Sequence, residues 1–303
     1  VDINADSTFR LAEEAQIRGH DLYVYTPYDL TFNRGKIAAK VRSISLKRII
    51  DDHVSFGALE IVDLTEFDVI WLRQDPPFDM GYITNTHLLD LVSRKTLIVN
   101  NPFWVRNFPE KLLVLQFPDL IPDTVISRDL EEIKEFKREF KDIIIKPLYG
   151  NGGAGIFRLK EDDKNLTSLH ELFSNMSSEP LIAQAFLPDV KNGDKRIILV
   201  DGSPVGAINR VPKAGEIRSN MHVGGKAEPA KLSHIDKEIC SAIGPTLKSK
   251  GQVFVGIDVI GEYLTEINVT SPTGIQELER FDNVNIAEMI WHSVEKKLKN
   301  LAS

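Results

Sequence analysis

The stretch 143–159, IIIKPLYGNGGAGIFRL, limits the fold more tightly than any other part of the chain. Gly150, Gly152 and Gly155 satisfy GxGxxG, but a dinucleotide-binding fingerprint requires a helix directly after the glycines. Here the run passes into a second apolar, strand-like segment at 156–159. A Walker A loop requires Gly-Lys-Ser/Thr before a helix, and that is absent as well. The pattern is strand, glycine loop, strand. In such a hairpin the N–H groups of 150–155 can approach phosphate oxygens, because Gly150, Gly152, Gly153 and Gly155 have no Cβ and only Asn151 and Ala154 carry side chains. Lys146 stands inside the otherwise apolar first strand. A buried lysine is costly unless paired, so a nucleotide phosphate is its expected partner. The alternative is a lysine that snorkels to the surface.

Protein kinases also fold a glycine hairpin over nucleotide phosphates, but their His-Arg-Asp and Asp-Phe-Gly motifs are missing here. The stretch 253–270, VFVGIDVIGEYLTEINVT, reads as a hairpin turning at Gly261, Glu262 and Tyr263. With Glu262 at the centre, Asp258 lies opposite Glu266, and Asn268 shares the face of Glu266. Val255, Ile257, Val259, Ile267 and Val269 fill the other face. Two facing carboxylates without a cation repel and desolvate badly. Oxygen-only ligands on a hairpin suit Mg²⁺, which is held by carboxylates together with substrate phosphates. The alternative is a solvated outer face.

Two further segments carry chemistry. Gln184, Ala185, Phe186 and Leu187 form a short segment whose backbone and apolar side chains suit a base, and Asp194, Lys195 and Arg196 then open a strand. The stretch 208–228 is basic and glycine-bearing, with Arg210, Lys213, Arg218 and Lys226. Such a loop can close over anions and exclude water; surface solvation of its charges is the bland alternative.

The N-terminal part alternates differently. Asp6 caps a helical pattern to about Arg18, with Phe9, Leu11, Ala12, Ala15 and Ile17 as its apolar set, and 21–25 reads as a strand. A helix followed by a strand is the second half of a βαβ unit, so the chain reads as an N-terminally shortened form lacking a first strand. The polar, basic run 33–48 reads as a hairpin or edge excursion. A strand at 67–72, a helix at 82–93 and a strand at 96–100 complete a small open parallel sheet. Ligands of such sheets bind beyond the carboxyl ends of strands. Arg73 and Asp75 sit at such an end, in WLRQDPPFD (71–79), as substrate contacts or as a salt-bridged loop. The last helix, 286–298, carries Ile286, Met289, Ile290, Val294 and Leu298 on one stripe and reads as core packing.

With 303 residues the chain is expected to form roughly two domains, divided near 107. Its formal charge of −7 disfavours nucleic acid as a partner. No apolar run approaches the ~18 residues of a membrane span. The single cysteine, Cys240, rules out an internal disulfide framework and a cysteine-rich zinc site. The seven histidines are scattered without paired spacing, and none reads as a catalytic base.

The order Lys-Pro with the glycine run, Gln184 to Leu187, Gly-Asp-Lys-Arg (193–196), the Arg210 loop, Gly-Ile-Asp (256–258) and TEINVTSP (265–272) resembles the ATP-grasp ligases. Within them the chain is similar to bacterial glutathione synthetases over nearly its whole length, through WLRQDPPFD, Asn101-Pro102, Glu110-Lys111-Leu112 and TEINVTSP. The resemblance implies an α/β (α+β) fold. An N-terminal pre-ATP-grasp domain would span 1–107 and an ATP-grasp domain 108–303, with a lid subdomain at about 120–188. It implies that Lys111 and Lys146 hold ATP phosphates, that Lys195 and the loop 150–155 bind ATP, and that Gln184 to Leu187 hold adenine. Asp258, Glu266 and Asn268 would bind Mg²⁺ or Mn²⁺. Arg73, Asp75, Asp194, Arg196, Arg210, Asn268 and Ser271 would bind substrate, and Arg196, Arg210 and Arg218 would serve catalysis. The implied reaction joins γ-glutamylcysteine to glycine through an acyl phosphate, in a cytoplasmic homo-oligomer, a tetramer or dimer, with no nucleic-acid or membrane partner. Other ATP-grasp ligases, of the D-alanine–D-alanine or glutamate-adding type, and a non-catalytic ATP-binding module are the alternatives. The sequence departs from the family pattern in lacking the first strand with its Asp-Pro loop, and in carrying Ala185 and Phe186 where Asn-Tyr is familiar.

Overall fold

The computed structural model describes residues 1–301 apart from 151, 214, 217 and 220–223. Helix α1 (Ser7–Ile17) starts where the Asp6 carboxylate accepts the Phe9 N–H at 2.6 Å. It buries Phe9, Leu11 and Ala15. Ile17, expected on that face, is 71% exposed. The inward positions go instead to Arg10 and Glu14, which pair with each other, Arg10 also reaching Glu279.

Strands β1 (Tyr23–Val24), β2 (Leu30–Asn33), β3 (Lys36–Leu46) and β4 (Val54–Asp63) form one antiparallel sheet. Arg34 and Gly35, both at positive φ, make the two-residue turn between β2 and β3. Then come β5 (Val69–Trp71), α2 (Met80–Asp90) and β6 (Leu97–Val99), and β5 pairs with β6 in parallel. The expected parallel sheet is thus a two-stranded unit among the described residues. The turns between β2, β3 and β4 return the chain directly on itself, and only antiparallel pairing allows that.

After α3 (Pro102–Asn107) and α4 (Glu110–Leu113) the chain enters a second sheet. Its elements are β7 (Thr124–Ser127), α5 (Leu130–Phe140), β8 (Ile143–Pro147), β9 (Phe157–Leu159), α6 (Leu166–Met176) and β10 (Leu181–Ala185). The strand order is β7-β10-β8-β9, and Ile133, Ile143, Ile145, Leu159 and Phe173 form the core under the helices.

The third sheet, ordered β13-β12-β11-β14-β15, comprises β11 (Asp194–Val200), β12 (Ser203–Val211), β13 (Lys226–Ala230), β14 (Phe254–Ile260) and β15 (Tyr263–Asn268). Helix α7 (His234–Ser249) precedes β14, and α8 (Ile275–Asp282) and α9 (Ile286–Leu301) follow β15. One face of this sheet buries Val255, Ile257, Val259, Ile267 and Val269 against Ile239, Ile243 and Leu247 of α7. On α9 the inward stripe is Ile286, Ala287, Ile290, Trp291 and Val294. Met289, expected there, is 42% exposed, because Ala287 and Trp291 take the flank that packs on α1. The Trp291 Nε1–H donates to the Leu11 carbonyl at 2.8 Å. Among the described residues no helix is long and apolar enough to cross a membrane.

Asn100, just after β6, ties the N-terminal part to the third sheet. Its amide donates to the carbonyls of Phe254 and Val269 at 2.7 and 2.8 Å. Its oxygen accepts from the N–H groups of Val253 and Phe254 at 2.8 and 2.9 Å. The side chain is buried, so Asn100→Ala leaves peptide groups unpaired, each costing about 1–3 kcal/mol. The variant is expected to lose at least about 3 kcal/mol of stability, read from the urea midpoint at unchanged slope. A loss below about 0.5 kcal/mol would contradict this role.

Candidate active site

The second and third sheets face each other across an open cleft. Its two ends differ. Ile144, Ile156, Leu187, Val190 and Ile260 make an apolar end. Lys146, Arg210 and Arg218, with Asp194, Asp258 and Glu266, make a charged end. An aromatic base fits the first and a polyphosphate the second.

The charged end is built by sheet register. The two-residue turn pairs Ile260 with Tyr263, and a bulge after Asp258 restores the pairing of Asp258 with Glu266. Arg196 lies directly across from Asp258, and Asp194 across from Arg210. Asp258 is buried and receives both Arg196, through Nε and Nη2, and Arg210, through Nη2 at 3.0 Å. Burial alone would raise the Asp258 carboxyl, but the two guanidiniums hold it well below the usual carboxylate range. Gly256 makes room for this pair, since a Cβ there would stand 3.0 Å from Arg196 Cδ. Arg210 also binds Asp194 Oδ2 at 2.6 Å, which the Ser219 hydroxyl reaches at 2.9 Å. Burial, with Asp258 nearby, pushes the Asp194 carboxyl up against the pull of Arg210. The Asp194 Oδ1 is buried without a hydrogen-bond partner among the described residues.

Lys146 is buried and donates to Gln184 Oε1 at 3.2 Å, while Gln184 Nε2 donates to the Thr124 hydroxyl. It does not snorkel, and burial lowers its pKa. Lys111 donates to the Gly150 carbonyl and lies 3.5 Å from Glu266. Gly152, Gly153 and Gly155 all have positive φ, a backbone course that strains any residue with a Cβ. Asn151 lies outside the described residues, as do 214, 217 and 220–223 of the expected closing loop. Arg218 of that loop pairs with Glu216 and flanks Gly153. Phe186 lies under the Arg158 guanidinium, 3.6 Å from its ring centroid, and Arg158 is held by Asp142.

Several expected site residues are placed elsewhere. Lys195 points to the opposite face of β11 from Asp194 and Arg196 and pairs with Asp236, so it does not line the cleft. Arg196 sits beneath the floor, its Nη1 reaching the Thr273 carbonyl. Asn268 is buried and donates to Asp258 at 3.4 Å. Arg73 and Ser271 bridge the 71–79 loop to the segment after β15. Arg73 donates to the Thr8 hydroxyl and the Pro272 carbonyl, and Ser271 donates to the Gln74 carbonyl. Burial lowers the Arg73 pKa to about 10. Asp75 is exposed. No histidine among the described residues lines the cleft.

A hard divalent cation fits the donors present. Asp258, Glu266 and Asn268 offer oxygens only, and Asp194 Oδ1 is a buried acceptor without a donor. The repulsion expected between Asp258 and Glu266 is already relieved by Arg196, Arg210 and Lys111, so repulsion alone does not demand a metal. Among the described residues no group of three or more His, Cys, Asp and Glu gathers as a ligand set.

Residues 1–106 match the N-terminal domain of prokaryotic glutathione synthetase, and 110–283 match its ATP-grasp domain. The chain belongs to the prokaryotic glutathione synthetase family. It is 58% identical over 297 residues to the glutathione synthetase of Brucella melitensis, covering 98% of this chain and 95% of that protein. To that of Agrobacterium fabrum it is 56% identical, covering 98% and 93%. Among solved structures the ATP-grasp ligase PsnB superposes with TM-score 0.62 at 18% identity, covering 97% of this chain and 95% of that one. D-cycloserine synthetase DcsG gives 0.62 at 15% identity, covering 78% and 86%. These two likenesses show that the family fold here is ATP-grasp. The family motifs left unmarked the side chains that wall the apolar end, Ile144, Ile156, Val190 and Ile260; strand alternation beside Lys146 could have flagged Ile144.

Lys146→Ala is expected to weaken ATP binding, measured by calorimetry, by roughly tenfold to a hundredfold, the worth of a charge-assisted contact of about 1.5–3 kcal/mol. Unchanged affinity would reduce Lys146 to a partner of Gln184.

Proposed function

We propose that this chain joins glycine to the C-terminal carboxylate of γ-glutamylcysteine in an ATP-driven reaction that yields glutathione, ADP and phosphate. The observation that carries the reading is the two-ended cleft, apolar beside Ile144 and Ile260 and charged beside Lys146 and Arg210, in a chain similar to glutathione synthetases over nearly its full length. A carboxylate is a poor electrophile. Its oxygen attacks the γ-phosphorus of ATP, the bond to the bridging oxygen breaks, and ADP leaves. The amine nitrogen then attacks the acyl carbon, loses a proton, and expels phosphate with the C–O electron pair.

Lys111, Lys146 and Arg210 spread the charge of the transferring phosphoryl group. Arg196 is a positioning residue, holding Asp258 from below. Asp258, Glu266 and Asn268 would hold Mg²⁺, with Mn²⁺ as a substitute, and the ion would neutralise phosphate charge. Arg218 and the loop 211–226 would close over the acyl phosphate, which water otherwise hydrolyses. The setting proposed is a cytoplasmic homo-oligomer acting on small molecules, divided into domains near residue 107, with the lid subdomain at about 120–188.

Coupled ADP release tests the reading. With γ-glutamylcysteine and glycine the chain should release ADP and form glutathione. D-Alanine with D-alanine should give none. Glu266→Gln and Asn268→Ala should lose metal-dependent turnover while keeping the wild-type circular dichroism. Turnover with D-alanine would favour the D-alanine–D-alanine alternative, no ADP release with any acid would favour a binding module, and near wild-type turnover in either variant would remove that residue from the metal site.

A further inference from the structure

Among the described residues Phe186 is the one aromatic side chain that lines the cleft. It follows β10 directly, and its backbone N–H donates to the Asp142 carbonyl at 3.0 Å. The carboxylate of the same Asp142 accepts from Arg158 twice, from Nε at 2.9 Å and from Nη2 at 2.5 Å. Held in this fork, the guanidinium lies over the Phe186 ring, 3.6 Å from its centroid. Asp142 therefore fixes both the backbone that carries the ring and the cation that covers it. Sheet register brings the cation to this spot. Arg158 stands on the edge strand β9 and pairs with Ile144 of β8, and Ile144 walls the apolar end. Phe186 lines the cleft but Arg158 does not; the arginine borders an outer surface hollow beside Lys160 and Asp162. The guanidinium thus covers the side of the ring turned away from the cleft.

An exposed Arg–Asp pair by itself contributes little. This pair differs, because its two-point fork aims a planar cation at one ring, and a cation over an aromatic face holds that face in place. A side chain already ordered before binding loses less freedom when a ligand packs on it. We infer that Arg158 is a positioning residue for the nucleotide base: locked by Asp142, it holds the Phe186 ring in the orientation that packs on the base, and so sets affinity for ATP without touching it. The inference rests on reading the apolar end of the cleft as the base site. The phosphates lie at the other end, beside Lys146 and Arg210, and the arginine should leave their binding alone.

The test is calorimetry of ATP and of inorganic tripolyphosphate, which carries the charges without a base, on the wild-type chain and on Arg158→Ala, Arg158→Lys, Phe186→Leu and the double variant. The Arg158 and Asp142 side chains are 30% and 33% exposed, so the Arg158 variants should fold. Arg158→Ala is expected to weaken ATP roughly threefold to tenfold and to move tripolyphosphate by less than about twofold. Arg158→Lys keeps the charge but lacks the planar fork, and its loss should fall between wild type and Arg158→Ala. Phe186→Leu should itself weaken ATP, and adding Arg158→Ala to it should cost less than about twofold more, because the ring through which the arginine acts is gone. Unchanged ATP affinity in Arg158→Ala would overturn the proposal. Equal weakening of ATP and tripolyphosphate, or a full further loss in the double variant, would overturn it too and leave the arginine a general support of the sheet. If the wild-type chain binds tripolyphosphate as tightly as ATP, the apolar end holds no base, and that reading falls together with the proposal.

Discussion

Asp258 held between two arginines on the inner face of a buried sheet is the interaction on which the rest of the site depends. A carboxylate taken out of water costs several kcal/mol, and only close, well-oriented cations offset it. Arg196 comes from one neighbouring strand and Arg210 from the next, so the pairing holds only if β12, β11, β14 and β15 keep their register. Register in turn is set by the opposite face, where Val255, Ile257, Val259, Ile267 and Val269 must all meet α7. A slip of one residue would exchange the two faces. The apolar core thus specifies where the charges stand.

That sheet is one jaw of the cleft. The other jaw contributes Lys146, Gln184 and the glycine loop, and its own core of Ile133, Ile143, Ile145 and Phe173 shares no residue with the first. Two separate cores joined at a charged cleft permit relative motion at small cost, since few buried contacts need to break. The N-terminal part is fixed differently, through Asn100 and the packing of α1 on α9. It stands beside the jaws, and its 71–79 loop brings Phe78 against Tyr149.

Much of this was legible in the sequence, for local reasons. The hairpin 253–270 could be registered by alternation alone, and the pairing of Asp258 with Glu266 holds, with a bulge compensating for a turn centred half a residue earlier than expected. Lys146 was marked by its apolar neighbours. What was not legible depends on partners distant in the chain. Nothing near Asp258 announces Arg196, 62 residues away, as its partner. Lys195 looked like its neighbour Arg196 until β11 placed the two on opposite faces. Ile17 and Met289 belonged to plausible stripes but lost their places to Arg10 with Glu14 and to Trp291, choices fixed by the α1–α9 contact. The antiparallel pairing of β2, β3 and β4 followed from turn lengths in a polar stretch where periodicity is weak. Phe78, Glu110, Tyr149 and Thr270 come together from four segments, and no motif joins them.

The central claim is that the site activates a carboxylate by transferring a phosphoryl group to it. The most direct measurement uses γ-glutamylcysteine with both oxygens of its C-terminal carboxylate labelled as ¹⁸O, followed by mass analysis of the phosphate released with ATP and glycine. One labelled oxygen in each phosphate is predicted, because the C–O bond broken in the second step leaves that oxygen on phosphorus. Phosphate without label, alongside glutathione, would contradict the account.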